Sequence, residues 1–264
     1  MEENEAWETI QKYFSKNNEL TIHFFGSGDN PRMFSEFVQT GQFYVGDTPD
    51  MLLRKGNTAI IIEHFEIDSS RANRKGSSCR KELSRIERAE KLVEYSEEGT
   101  FFHDEISVNS SYAFLLENVK KNFEHHYSHI GMYRENLKKW GLIAETDVVK
   151  VMFLIDDVSP LGTIAVPIDD RNAKPCPVVL AQSKEFLELM QKSPDVDFVL
   201  ACSGAGNQDF LWFIDNNQLD SYFSNIIDYE SMDFLDITPH IFSFKMAIPS
   251  DVSCIAVDEI VNSK

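Results

Sequence analysis

The sequence predicts an α/β fold: a single domain over residues 1–264, with a central mixed sheet flanked by helices. Three observations predict it. Val148 to Ile155 and Phe198 to Cys202 are almost wholly apolar, the pattern of strands buried on both faces. Stretches with apolar residues at helical spacing lie around and between them. A hairpin signature, Lys55-Gly56-Asn57 between two β-rich runs, precedes these crossover-type connections. Antiparallel and parallel pairing therefore meet in one sheet.

Taken in order, Glu5 to Asn17 carries Trp7, Ile10, Tyr13 and Phe14 on one helical stripe. Leu20 to Phe25 is a short β-rich run that ends in Gly26-Ser27-Gly28-Asp29, a turn signal. Pro31 suits the first turn of a helix through Phe34, Phe37 and Val38, closed by Gly41. Asp50 to Arg54 and Thr58 to Ile67 form the hairpin. Arg80 to Tyr95 is expected to be helical, with Leu83, Ile86 and Leu92 on its stripe. Asn109 to Trp140 is expected to be one long helix, or two broken at Gly131. After the strand at 148–155 come a helix over Ser183 to Gln191, the strand at 198–202, a strand over Phe210 to Ile214 and a helix over Gln218 to Ile227. The tail, Phe242 to Ile248 and Cys254 to Val257, is expected to be extended.

Composition narrows the class. The chain has 264 residues, with 42% hydrophobic and 26% charged, which is ordinary globular usage and excludes disorder as the main state. Cys79, Cys176, Cys202 and Cys254 show no CxxC spacing and no zinc-ribbon pattern. The acidic N-terminus, MEENEAWETI, has none of the regions of a signal peptide. No apolar run approaches the roughly 20 residues that span a bilayer. The expectation is a cytoplasmic protein with free thiols and no membrane partner.

Charge is unevenly placed. The net charge is −18, which opposes nucleic acid at long range. Yet Arg71 to Lys91 holds eight basic residues against three acidic ones, while Asp195 to the end holds twelve acids and only Lys245 and Lys264. Screening over about 8–10 Å leaves such local charge in command. The basic segment is a candidate contact for nucleic acid, and equally a solvated helix face or an internal partner for the acidic part.

The stretch Gly46 to Asp68, GDTPDMLLRKGNTAIIIEHFEID, concentrates the chemistry. It places Asp50 at a strand entry and Glu63 inside an apolar strand. A bare carboxylate among Ile60, Ile61, Ile62 and Phe65 costs several kcal/mol unless paired, hydrogen-bonded or metal-bound. Two facing hairpin carboxylates can hold one hard divalent cation, which polarises a phosphodiester and activates water. Pro49-Asp50 followed by Glu63 resembles the PD-(D/E)xK, or restriction-endonuclease-like, phosphodiesterase superfamily over roughly residues 31 to 68. The resemblance implies Asp50 and Glu63 as ligands of Mg2+ or Mn2+ and Glu36, in FSEF, as the auxiliary helix acid. It also implies a nuclease-like core completed by the helix and the 148–155 strand.

One departure matters. Phe65 stands where that family has its lysine, and residues 61, 63, 65 and 67 share a strand face. Either the cation is displaced, with Lys75 or Arg71 reaching in from the next segment, or the fold serves protein interactions without catalysis. An unrelated α/β protein with structural acids is the third reading. Ser69 to Ser78, punctuated by Gly, Ser and Asn, is expected to be a loop that closes on a phosphate. His64 and Glu66 form a second metal option on the opposite face. His125 and His129, at i and i+4, share a helix face. They lack the Glu that a zinc protease has after its first His, because His126 stands there. Cys202-Ser203-Gly204-Ala205-Gly206-Asn207 lacks the phosphate-loop Lys and is expected to be a tight turn.

Overall fold

The computed structural model describes residues 22–25, 30–73, 76–82, 84–85, 88, 101–105, 109–159, 163–168, 176–205, 208–234, 240–243 and 254–255. The helix expected at Glu5 to Asn17 lies outside them, as do Arg74, Lys75 and Lys91.

The first described elements are β1 (Ile22–Phe25), α1 (Asn30–Thr40), β2 (Gln42–Val45), β3 (Met51–Lys55) and β4 (Thr58–Ile67). Two very short strands, β5 (Ala72–Asn73) and β6 (Gly76–Ser77), pair with each other; β7 is Phe101–Glu105. The long helix α2 (Tyr112–Lys139) leads to β8 (Val148–Asp157), β9 (Ile164–Pro167) and β10 (Cys176–Pro177). Then come α3 (Lys184–Gln191), β11 (Phe198–Ala205), β12 (Gln208–Asp215), the single turn α4 (Leu219–Tyr222), β13 (Met232–Phe234), β14 (His240–Ser243) and β15 (Cys254–Ile255).

Seven strands form the main sheet in the order β1-β12-β11-β8-β4-β3-β2. It is mixed: β4, β8 and β11 run parallel, as do β1 and β12, whereas β2-β3, β3-β4 and β11-β12 are antiparallel. The apolar run at 148–155 occupies the middle, and Val151 to Ile155 are fully buried. Alternation assigns each side of a strand to a layer. Ile61, Phe65, Val151, Phe153 and Ile155 join a cluster with α2 and α3, while Ile60, Ile62, Met152 and Leu154 join one with Phe34 and Phe37 of α1. The sheet is thus helix-covered on both faces, as its apolar strands require.

Local chemistry fixes the ends of these elements. Gly56, at φ +63°, makes the tight turn between Lys55 and Thr58, the conformation two-residue hairpin loops favour. Ser111 caps α2, accepting the Phe114 amide at 3.2 Å. At its other end Gly141, φ +68°, and Leu142 donate to the Lys138 and Leu137 carbonyls, a Schellman termination. Between those ends α2 is unbroken: Gly131 does not divide it, because the buried stripe Leu115, Val119, Phe123, Ile130, Tyr133 and Leu137 runs straight through. Arg54 clasps the buried Asp147 carboxylate at 2.9 Å and also donates to the Leu142 carbonyl. This ties the hairpin tip to the loop that follows α2.

The structure departs from the sequence reading in three places. Gln218 to Ile227 is not one helix but α4 between two 3-10 turns, Asn216–Gln218 and Phe223–Asn225. The strand β2 was not anticipated; it forms the sheet edge, and all four of its residues are exposed. Ser69 to Ser78 is not a free loop in its described part. Ser70 bridges Ser110, Ser111 donates to the Ser69 carbonyl, and Cys79 donates to Ser70 Oγ. Among the described residues no helix is long and apolar enough to cross a membrane.

Phe153 contacts Phe65 and Phe123 edge-on, at 5.9 and 4.8 Å between ring centroids, and is fully buried. Phe153→Ala should lower unfolding free energy by about 3–5 kcal/mol, read as a reduced urea midpoint.

Candidate functional site

The β3–β4 ladder ends at the pair Met51 and Ile62. Asp50 and Glu63 come next, on the strand face that carries Leu52, Ile61 and Phe65. Beyond the last backbone pair the two acids bind each other's strands. The Asp50 amide donates to Glu63 Oε1 at 3.2 Å, and the His64 amide donates to Asp50 Oδ2 at 2.7 Å. Asp50 is half-buried, whereas Glu63 is only 4% exposed.

Helix α2 completes the surroundings of Glu63. His126 Nδ1 lies 3.0 Å from Glu63 Oε2. Because a carboxylate oxygen only accepts, Nδ1 carries the hydrogen and donates it to Glu63. Phe65 stacks on the His126 ring, with centroids 5.2 Å apart and planes within 10°. The buried Tyr133 hydroxyl sits 3.4 Å from the same Nδ1. Desolvation holds that phenol well above the ordinary tyrosine range, and the negative charge of Glu63, its hydrogen bond and the charge of Asp50 push the same way. The result is one polar cluster at the sheet–helix boundary, built from Asp50, Glu63, His126 and Tyr133.

The other sequence candidates are elsewhere. Glu36 is on α1, the layer against the opposite face of the sheet, and pairs with Lys55 at 3.2 Å and Arg32 at 3.5 Å. Lys55 ends β3 at the hairpin tip, so Glu36 stands at the far end of the strand from Asp50. Lys75 lies outside the described residues. Arg71 is exposed, and the partner of Glu63 is His126 rather than a member of the basic segment. Glu66 is taken by Arg80 at 2.6 Å, which weakens the case for a metal site made with His64. Among the described residues no three or more His, Cys, Asp or Glu side chains converge so as to hold one metal ion together.

His126 and Tyr133 were missed by sequence reasoning. The signal for them exists: with Phe123, Ile130 and Leu137 they continue a stripe of alternating three- and four-residue steps, so both face the sheet. A histidine on such a stripe needs a polar partner, and Glu63 is the one polar residue amid the apolar run that α2 covers.

A second buried polar group lies where β4 and β8 end. Asp68 accepts from the Ser70 amide and hydroxyl at 2.9 and 2.5 Å, and Asn118 of α2 donates to the Asp68 and Ser70 carbonyls. Asp157 accepts from Ser159 and Thr163; burial raises its carboxyl above the usual range while those donors pull it back. Cys79, beside them, is pushed up to about 12 by burial and by the charges of Asp68 and Asp157, against a smaller effect of Arg80. These bonds tie the ends of β4 and β8 to the segments that follow them and to α2, so this group reads as a lock on the strand ends.

Comparison with models of protein families, with curated proteins and with solved structures finds no match for the chain.

Two measurements check this geometry. Removing the imidazole leaves a buried carboxylate short of a donor, so His126→Ala should cost about 1–3 kcal/mol in a urea titration, with Glu63→Gln/His126→Ala less than additive. Cys79 favours its protonated form in the folded state. Its stabilising contribution is therefore full below the unfolded thiol pKa, about 8.5, and lost as pH climbs towards about 12. The native protein at about pH 9 should leave Cys79 unalkylated, with labelling appearing only on denaturation.

Proposed function

We propose that this chain is a divalent-metal-dependent phosphodiesterase of the restriction-endonuclease-like kind, with Asp50 and Glu63 as the acids that hold Mg2+ or Mn2+. The observation that carries the reading is the placement of these acids as neighbours on one strand face, at the end of the hairpin ladder. The order α1, β2-β3-β4, α2 and then β8 parallel to β4 fits the resemblance that the sequence suggested.

The donor set suits a hard ion. Mg2+ typically takes one or two protein carboxylates and fills its shell with water and substrate phosphate oxygens, so a third ligand is not required. Each carboxylate offers about four lone-pair directions, and protein donors occupy only part of them. When bound, such an ion polarises the phosphodiester and sharpens a water for in-line attack. The chain's own groups do the rest. Glu63 orients His126 through Nδ1 and leaves Nε2 as the ring's basic nitrogen. Phe65 cannot supply the family's ammonium, but its ring stacks on His126, which brings a nitrogen base beside the position. Lys75 is the further candidate cation, and the exposed Arg71, Lys81 and Arg88 give the basic segment a surface for the nucleic-acid backbone.

One observation favours a second reading. Both acids are already engaged by protein donors, and the lysine position is apolar. A non-catalytic protein that keeps this fold for protein contacts would look the same.

Cleavage of single- and double-stranded DNA and RNA with Mg2+ or Mn2+ separates the two. The proposal expects metal-dependent cleavage that falls by roughly 10²-fold or more in Asp50→Asn and Glu63→Gln, with smaller losses in His126→Ala and Lys75→Ala. A folded wild type that cleaves nothing and binds no Mg2+ or Mn2+ supports the non-catalytic reading. Activity that survives both acid substitutions places the chemistry elsewhere.

A further inference from the structure

The outward side of α2 carries two more imidazoles, one helical turn apart. His125 is exposed, His129 is half-buried, and their ring centroids are 4.6 Å apart with planes inclined at 67°. His129 Nδ1 lies 2.8 Å from the His125 carbonyl oxygen. A carbonyl only accepts, so Nδ1 holds the hydrogen and Nε2 keeps its lone pair. This is how a backbone oxygen fixes the tautomer and orientation of a metal-ligating histidine. Among the described residues no hydrogen-bond partner engages Nε2 of His129 or either ring nitrogen of His125.

We propose that His125 and His129 form a surface site for one borderline divalent transition-metal ion of the Zn2+ or Ni2+ class. Imidazole nitrogens bind such ions at about 2.0–2.1 Å. Two imidazoles sharing one tetrahedral ion through Nε2 place their ring centres about 5 Å apart. The observed 4.6 Å is close to that spacing, so rotation of the side chains is the change a shared ion asks of them. Water completes the shell, since among the described residues no third His, Cys, Asp or Glu joins the pair. The chain's strongly negative net charge raises the local concentration of any cation. The immediate flanks are mixed: Lys120 pairs with Glu124 at 3.8 Å, and Lys121 is exposed one turn before His125.

This site is separate in chemistry from the Asp50 and Glu63 pair. Nitrogen donors favour late first-row ions, whereas oxygen donors favour Mg2+ and Mn2+. His126 lies between the two, with its ring in edge contact with His125 at 5.3 Å, but its Nδ1 is committed to Glu63. The proposal does not depend on phosphodiesterase activity.

Calorimetric titration of the full chain with Ni2+ and with Zn2+, in excess Mg2+, tests it. One ion per chain is expected, with affinity reduced at least about tenfold by His125→Ala and by His129→Ala and unchanged by Glu63→Gln. Circular dichroism establishes that the variants are folded, and Zn2+ should shift the ring proton resonances of both histidines. An isotherm that is the same in the wild type and in the double His→Ala variant overturns the proposal. So does affinity that falls with Glu63→Gln while tolerating loss of the imidazoles.

Discussion

A carboxylate set into the middle of an apolar strand must find its donors inside the protein, and the position of α2 follows from where Glu63 finds them. A buried, unpaired acid costs several kcal/mol; here an amide from β3's entry and an imidazole from α2 meet it instead. The bond from His126 and the stacking of Phe65 on that ring fix the rotation of α2 about its axis. The same rotation turns Leu115, Val119, Phe123, Ile130 and Leu137 onto the sheet. Apolar contact supplies most of the attraction between these layers, being proportional to area, but it is not directional. Directional polar contacts supply the register: His126 with Glu63, and Asn118 with the Asp68 and Ser70 carbonyls.

That arrangement also explains why structural and chemical readings of the two acids coincide. At the end of the hairpin, Asp50 and Glu63 substitute for the backbone partners that the ladder no longer provides. Groups held this firmly are also preorganised: they need no rearrangement to present their remaining lone pairs to a cation or to a neighbouring base. Rigidity imposed for folding is therefore no obstacle to a chemical role for the same two acids.

The parts of this fold legible from sequence are those whose signal is local or periodic. The hairpin was legible because Lys55-Gly56-Asn57 demands a turn; β8 and β11, because a strand buried on both faces admits little but apolar residues. Of the two readings of Asn109 to Trp140, one long helix or two broken at Gly131, the structure has the first, because a glycine on a helix's outer side costs about 1 kcal/mol, far less than the packing of the turns on either side. Strand β2 escaped notice since Gln42-Phe43-Tyr44-Val45 is only four residues long and shows no alternation. Within the candidate site, Asp50 and Glu63 were legible from their setting on the hairpin. His126 and Tyr133 were not, because their partner comes from another part of the chain. The stripe marks them as inward-facing, but only tertiary structure shows what they meet. Glu36 illustrates the converse: its place in sequence suits an auxiliary acid, but α1 packs on the other face of the sheet.

The strand order has a consequence for how the chain assembles. β1 pairs with β12, Ile22 lying beside Leu211, and β8 inserts between β4 and β11. On a ribosome the hairpin emerges early, but the strand that covers the open side of β4 is made only after the whole of α2. The partner of β1 comes later still. Non-local pairing of this kind slows folding and leaves apolar strand edges waiting in the nascent chain. Fragments that stop before β8 should therefore behave as sticky, chaperone-dependent polypeptides, and domain truncation is a poor route to a soluble piece of this protein.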